Sequence, residues 1–249
     1  MKAVFTPTKG MTTVDTSYCP GCTHGIAHRI IMEVLDEMGL LGQTIGVAPI
    51  GCAINAHHFM NIDMCESMHG RAPAVASGIR RANPGKVVFT YQGDGDLAAI
   101  GIAEVTHAAL RGEKFTTFFI NNGIYGMTGG QMAPTTLIGQ KATTAIYGRS
   151  QEQAGMPLKV CELLSTIDGA VFVERVMLNN PANVRKAKEA VRKAIAIQRA
   201  GLGFTFVEFL SSCPTNWGLS PADALRWVGE QMASYYPAKN FRMPEGFES

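Results

Sequence analysis

The 249-residue sequence has no apolar run approaching the roughly 20 residues that cross a bilayer. Its opening, Met1-Lys2-Ala3-Val4-Phe5-Thr6-Pro7, lacks the long apolar core of a secretory signal. Charge is scarce, at 17% of residues, and nearly balanced at a formal +2, so the field that polyanion binding demands is missing. Neither a nucleic-acid partner nor a membrane is expected, and a soluble, cytoplasmic protein is. There is no Gly-Lys-Ser or Gly-Lys-Thr phosphate loop and no Gly-x-Gly-x-x-Gly run, which sets ordinary nucleotide readings back. No repeat, biased tract or linker divides the chain, so residues 1–249 read as one domain. Six cysteines are too few for a disulfide-stapled secreted scaffold and fit a reducing compartment.

What is present is apolar residue, 46%, enough for a sizeable core, and glycine, 27 residues, clustered around 93–101 and 123–130. Ile26, Ile30, Ile31, Val34, Leu35 and Met38 recur at helical spacing and predict a helix over 24–39. Short apolar runs at 44–50, 86–91, 115–120, 170–173 and 204–209 predict buried strands, with further helices over 97–111 and about 182–200. That alternation implies an α/β fold, a parallel sheet covered by helices on both faces. Residues 123–160 show no clear periodicity, and a loop that long is usually functional.

Gly93-Asp94-Gly95-Asp96 follows one predicted strand and Asn121-Asn122-Gly123 the next, so both emerge at the carboxyl edge of the sheet. One carboxylate, one amide oxygen and glycine-rich backbone suit a Mg²⁺ that fills its other positions with diphosphate oxygens and water. Cys19-Pro20-Gly21-Cys22, Cys52 and Cys213 could supply the four thiolates of a [4Fe–4S] cluster. Structural zinc, a thioredoxin-like redox pair and plain core packing are the alternatives. Cys65 and Cys161 have no motif context and are expected in the core. His24 heads the first helix, where it contacts a cofactor or packs, and His57-His58 match no ligand pattern.

Gly-Asp-Gly, then 25 residues, then Asn-Asn resembles the thiamine-diphosphate motif, which implies Asp94, Asn122 and the carbonyl of Ile124 as Mg²⁺ ligands. Joined to Cys19 through Gly25, Gly51-Cys52, His69-Gly70-Arg71-Ala72, Asn121 through Gln131 and Cys213-Pro214-Thr215, it resembles the β subunit of 2-oxoacid:ferredoxin oxidoreductases. That resemblance implies a thiamine-diphosphate-binding domain whose cluster ligands are Cys19, Cys22, Cys52 and Cys213. It implies cofactor contacts at Ile50, Gly51, Cys52, Ala53, His69, Gly95, Asp96, Gly126 and Met127. Coenzyme A is the implied co-substrate, and the 2-oxoacid is of branched-chain 2-oxoisovalerate type ahead of 2-oxoglutarate.

No catalytic residue is implied on this chain. The activating glutamate is expected on a pyrimidine-domain α subunit, with γ and δ subunits and ferredoxin as further candidate partners. Residues from about 215 to 249 are apolar for a terminus and are expected to pack on a partner. The basic helix with Arg185, Lys186, Lys188, Arg192, Lys193 and Arg199 reads as a solvated face, with ferredoxin docking second. The competing functions are a non-oxidative thiamine-dependent decarboxylase or synthase subunit, and a zinc-stabilised binding module.

Overall fold

The short apolar segments pair into one sheet. The computed structural model describes residues 6–247, so Met1 to Phe5, most of the stretch that lacks a signal core, lie outside the described residues. Strands β1 (Thr44–Ala48), β2 (Asp63–Glu66), β3 (Val87–Gly93), β4 (Thr116–Asn121), β5 (Ala170–Met177), β6 (Phe204–Leu210) and β7 (Asn240–Arg242) lie in the order β2-β1-β3-β4-β6-β5-β7. Every pairing is parallel except that of β7, which runs antiparallel to β5 at the edge. Strands β4 and β6 are buried at every residue, which is why they read as mainly apolar runs, with Thr116, Thr117, Asn121, Thr205 and Glu208 as their buried polar members.

Helices α1 (His24–Glu37) and α5 (Pro181–Arg199) cover one face; α2 (Ala72–Ala82), α3 (Ile102–Leu110) and α4 (Val160–Ser165) cover the other. Because side chains alternate along a strand, Phe118 joins Ile31, Leu35 and Val191 on the first face while Phe119 joins Ala76, Val105 and Leu164 on the second. Lys188 Nζ donates to Glu33 at 2.9 Å and Glu37 at 2.6 Å, so part of the basic face of α5 is tied to α1. Among the described residues no helix is long and apolar enough to cross a membrane.

The expected α/β architecture is present, and its departures have physical causes. Helix α2, absent from the expected elements, buries Ala72, Pro73, Ala76 and Ser77 and packs Val75 and Ile79 against the core. Strand β2 is a half-exposed edge and β7 spans three residues. The predicted helix over 97–111 starts earlier, as a widened turn over Gly95–Ile100, and bends at Gly101 before α3. A Cβ at Gly101 would stand 2.7 Å from the Asp96 carbonyl and 2.8 Å from that of Gly70, so only glycine fits there. Cys161 is buried as expected, but Cys65 is not a core residue; it is partly exposed on edge strand β2. Within the C-terminal segment the Trp217 and Trp227 rings lie 4.4 Å apart, and the Tyr236 hydroxyl donates to the Thr135 carbonyl at 2.8 Å.

Strand β5 runs four residues past the predicted 170–173, through Glu174 and Arg175 to Met177. Arg175 is fully buried, its Nε donating to Glu208 Oε2 at 2.8 Å and its Nη2 to Glu162 Oε2 at 2.6 Å. Burial alone would lower the guanidinium pKa, yet the two carboxylates hold it well above its ordinary range. Removing one partner of such a pair strands the other charge in the core. Arg175→Met should therefore cost about 3–5 kcal/mol in chemical denaturation. Adding Glu208→Gln, which removes the stranded charge but keeps an acceptor for Asn121, should recover part of the loss; no recovery would mean that packing, not charge, sets the cost.

Candidate active site

Strands β3 and β4 pair in parallel with Gly93 opposite Ile120, so Asp94 and Asn122 leave the sheet side by side. The Ile124 N–H donates to Asp94 Oδ2 at 3.0 Å and to Asn122 Oδ1 at 3.3 Å, bringing a carboxylate and an amide oxygen to one point. Asp94 is 3% exposed; its Oδ1 also accepts from Gly95 N at 2.9 Å and its Oδ2 from Thr135 Oγ1 at 3.0 Å. Burial raises its carboxyl to about 7 despite these donors. A divalent cation beside the pair is the kind of group that would keep such a carboxylate ionised, so the residues fit a Mg²⁺.

The neighbours of the pair serve it from within. Asn121 turns inward, donating from Nδ2 to Glu208 Oε1 at 2.7 Å and accepting from Gly123 N at 3.2 Å. Asp96 accepts from Gly70 N and meets His69 Nδ1, both at 2.6 Å, while its second oxygen accepts from Gln92 Nε2 at 2.6 Å. Asp96 thus orients His69 rather than presenting a free carboxylate.

Ile50, Gly51, Cys52, Ala53, His69, Gly95, Asp96, Gly126 and Met127 all line a single cavity, together with Asp94, Asn122 and Ile124. His24, Ile100, Tyr125 and Thr128 line it too and were not assigned by the sequence; Tyr125 and Thr128 sit inside a quoted motif, whereas Ile100 carries no signal at all. His24 both packs and faces the cavity. Its ring stacks on Tyr18 with centroids 4.8 Å apart, its Nδ1 meets the Tyr91 hydroxyl at 2.8 Å, and burial lowers its pKa to about 4. The His57 and His58 rings lie tilted against each other with centroids 3.7 Å apart, and His57 donates to the Ile54 carbonyl at 2.5 Å.

The four cysteines come together beside this cavity. A Cβ on Gly126 would stand 3.3 Å from Cys52 Sγ and 3.6 Å from Cys213 Sγ, so glycine there leaves room at the sulfurs. Cys19 and Cys22 form one turn, closed by a 3.0 Å bond from Cys22 N to the Cys19 carbonyl. Burial raises the Cys22 thiol to about 12 and that of Cys52 to about 11, and the surrounding thiols push both further. Asn216 Nδ2 donates to Cys213 Sγ at 3.3 Å and to the Gly126 carbonyl at 3.0 Å. Among the described residues no three His, Cys, Asp or Glu side chains are closed to metal-ligand spacing; the thiols converge without enclosing a centre. A Cys-x-x-Cys turn with two further thiols converging on it is the soft donor set a metal centre takes, and the set fits one.

Residues 45–209 match the family described as thiamine pyrophosphate enzyme, C-terminal TPP binding domain. Over 239 residues the chain is 50% identical to the ketoisovalerate oxidoreductase subunit VorA of Methanothermobacter marburgensis, covering 96% of this chain and 50% of that one. It is 35% identical over 235 residues to the 2-oxoglutarate synthase subunit KorB of Methanocaldococcus jannaschii, covering 92% and 82%. The chain belongs to the 2-oxoacid:ferredoxin oxidoreductase family. It carries that family's thiamine-pyrophosphate-binding domain and spans about half the length of the VorA relatives it matches. The fold of this chain superposes with a TM-score of 0.77 on a 2-oxoglutarate:ferredoxin oxidoreductase from Magnetococcus marinus with 2-oxoglutarate, coenzyme A and succinyl-CoA bound, at 24% identity over 97% of this chain and 86% of that one. Neither a zinc-stabilised module nor a non-oxidative synthase is favoured by these relatives.

Behind the cavity wall, His28 is fully buried between Tyr18 and Tyr91. The Tyr18 hydroxyl donates to the Cys52 carbonyl at 3.1 Å, so it accepts from His28 Nε2 at 3.3 Å, and His28 Nδ1 is left as a buried acceptor without a partner. Burial therefore holds the His28 pKa well below 6.5. The unfolded chain takes up a proton that the folded one refuses, so stability present above about pH 6.5 is lost as pH falls. His28→Phe should be near neutral at pH 7 and flatten the loss between pH 7 and 5 in denaturant titrations. Parallel pH profiles for the two proteins would assign the acid sensitivity to another group.

Proposed function

We propose that this chain is the thiamine-diphosphate-binding subunit of an enzyme that couples oxidative decarboxylation of a 2-oxoacid to coenzyme A acylation and ferredoxin reduction. The observation that carries this reading is the double position of Cys52, which lines the Asp94–Asn122 cavity and also faces Cys22 and Cys213. A one-electron outlet beside a diphosphate site is what separates oxidation from simple decarboxylation. When bound, thiamine diphosphate would supply the carbanion chemistry, Mg²⁺ would neutralise its diphosphate charge, and a [4Fe–4S] cluster would take electrons singly.

The chain's own residues hold and orient. Asp94, Asn122 and the Ile124 carbonyl would ligate Mg²⁺, and the backbone at Gly93 and Gly95 can approach the diphosphate closely. Cys19, Cys22, Cys52 and Cys213 would hold the cluster. His69, fixed by Asp96, and His24, fixed by Tyr91, present ring edges to the cavity, while Ile50, Ile100 and Met127 give it apolar wall. Overall a 2-oxoacid and CoA give acyl-CoA, CO₂, a proton and two electrons, and the electrons leave one at a time to ferredoxin. The greater likeness to a ketoisovalerate than to a 2-oxoglutarate relative favours a branched-chain 2-oxoacid.

Among the described residues no glutamate lines the cavity, which supports placing the activating carboxylate on a pyrimidine-domain α subunit. Proteins with γ and δ character, and ferredoxin, are the further partners of this reading, which places a partner contact on the outer side of the C-terminal segment from about residue 215. The same reading places the protein in a reducing, cytoplasmic setting, with which the six free cysteines are consistent.

Two measurements test the proposal. Anaerobically purified protein should contain iron and acid-labile sulfide; Cys52→Ser should lose or convert the visible cluster absorbance, whereas Cys65→Ser and Cys161→Ser keep it. The reverse pattern would reassign the ligands. Second, the chain loaded with its cofactors should be silent alone and should gain CoA-dependent viologen reduction when the α subunit is added, fastest with 2-oxoisovalerate in a 2-oxoacid panel. Steady turnover by this polypeptide alone would place the active site elsewhere.

A further inference from the structure

The irregular segment after β4 is braced more heavily than a surface loop requires. Arg149, 6% exposed, donates to six backbone carbonyls: Ala133, Pro134 and Thr136 on one side, Ala154, Gly155 and Met156 on the other. Thr136 Oγ1 donates to the Gly123 carbonyl at 2.6 Å, and Gln140 Nε2 reaches the same oxygen at 3.3 Å. Between these anchors Thr135 is fully buried, its carbonyl held by the Tyr236 hydroxyl. Its single hydroxyl proton goes to Asp94 Oδ2 at 3.0 Å.

We propose that Thr135 is a positioning residue for the metal site: its hydroxyl, fixed by the Arg149 brace, holds the Asp94 carboxylate in the orientation from which it ligates Mg²⁺. The inference rests on the reading of Asp94 as a Mg²⁺ ligand. Asp94 is gripped from three separate segments, by Gly95 N on one oxygen and by Ile124 N and Thr135 Oγ1 on the other. The first two donors belong to the loops that carry the ligands themselves and move with them. Thr135 alone ties the carboxylate to a part of the chain that contributes no ligand. A β-branched side chain with restricted χ1 rotation, on a backbone preceded by Pro134, suits a fixed donor.

The hydroxyl can be separated from the packing. In the full chain, with its partner subunit where that is needed for folding, Mn²⁺ replaces Mg²⁺, and its binding in the presence of thiamine diphosphate is followed by electron paramagnetic resonance. Thr135→Val, which keeps the shape, and Thr135→Ala should each weaken Mn²⁺ binding about tenfold, the scale of one charge-assisted hydrogen bond. Thr135→Ser should stay within about threefold of wild type, with the melting temperature of the metal-free protein unchanged; the Ala–Ser comparison decides if the valine variant does not fold. Wild-type affinity in the Val and Ala variants, or equal weakening in Ser, would overturn the role of the hydroxyl while leaving the metal site in place. Failure of the wild-type protein itself to bind Mn²⁺ with thiamine diphosphate would overturn the site reading, and this inference with it.

Discussion

The parallel register of β3 with β4 is the constraint on which the site depends. With Gly93 opposite Ile120, the chain leaves both strands at the same edge within one residue of register, and Asp94 and Asn122 meet at the Ile124 N–H. A one-residue slip would turn every buried side chain of β4 to the opposite face and send Asn121, not Asn122, toward Asp94. The sheet order puts β1 and β6 on either side of this pair, so the turns carrying Cys52 and Cys213 rise from adjacent strands. Cavity and thiols are therefore neighbours because four strands are neighbours.

The interior behind that edge is polar where an apolar core would suffice. Glu162, Arg175, Glu208 and Asn121 form a continuous chain of charge-assisted bonds ending on Gly123 N, inside the turn that presents Asn122. Tyr236 and Phe241 stack over the same guanidinium at 5.2 Å and 5.1 Å, so the C-terminal segment closes the network from the far side. Such an arrangement contributes little net stability over an apolar one. Its effect is geometric: it sets the inward Asn of the pair so that the outward one can face the cavity.

The layers of this fold were legible because burial on both faces writes a strand as a plain apolar run, as at 115–120 and 204–209. The loops were legible because glycine and paired Asn or Cys mark where backbone turns toward a ligand, and motif order then nominated positions that share one cavity wall. What stayed hidden is polar and long-range. Thr135, Arg149 and Glu208 act through partners far along the chain, and no local pattern distinguishes a buried threonine from a solvated one. Nor could the sequence tell that of two aspartates in Gly-Asp-Gly-Asp, the second turns inward to His69, Gly70 and Gln92. The edge strands β2 and β7 are short and half exposed and so lack apolar contrast, and Cys65, which no motif marks, lies on one of them.

The thiol-bearing segments are joined by hydrogen bonds that do not involve sulfur, and this decides how the cavity and the cysteines are coupled. Tyr18, next to Cys19, donates to the carbonyl of Cys52. Ser212 Oγ donates to the Gly21 carbonyl at 2.7 Å, and Ser212 N donates to Thr23 Oγ1 at 3.1 Å, tying the Cys19–Cys22 turn to Cys213. Asn216 then links the Cys213 turn to Gly126 on the cavity wall. Each of the three thiol-bearing segments thus has a bond to another, or to the cavity, that holds without any bound centre. Gly51, with φ of 101°, turns the chain sharply ahead of Cys52 and lets the residue show its carbonyl to Tyr18 and its sulfur to Cys213. A shift of Cys52 is a shift of the cavity wall, so the geometry around the thiols and the geometry around Asp94 cannot vary independently.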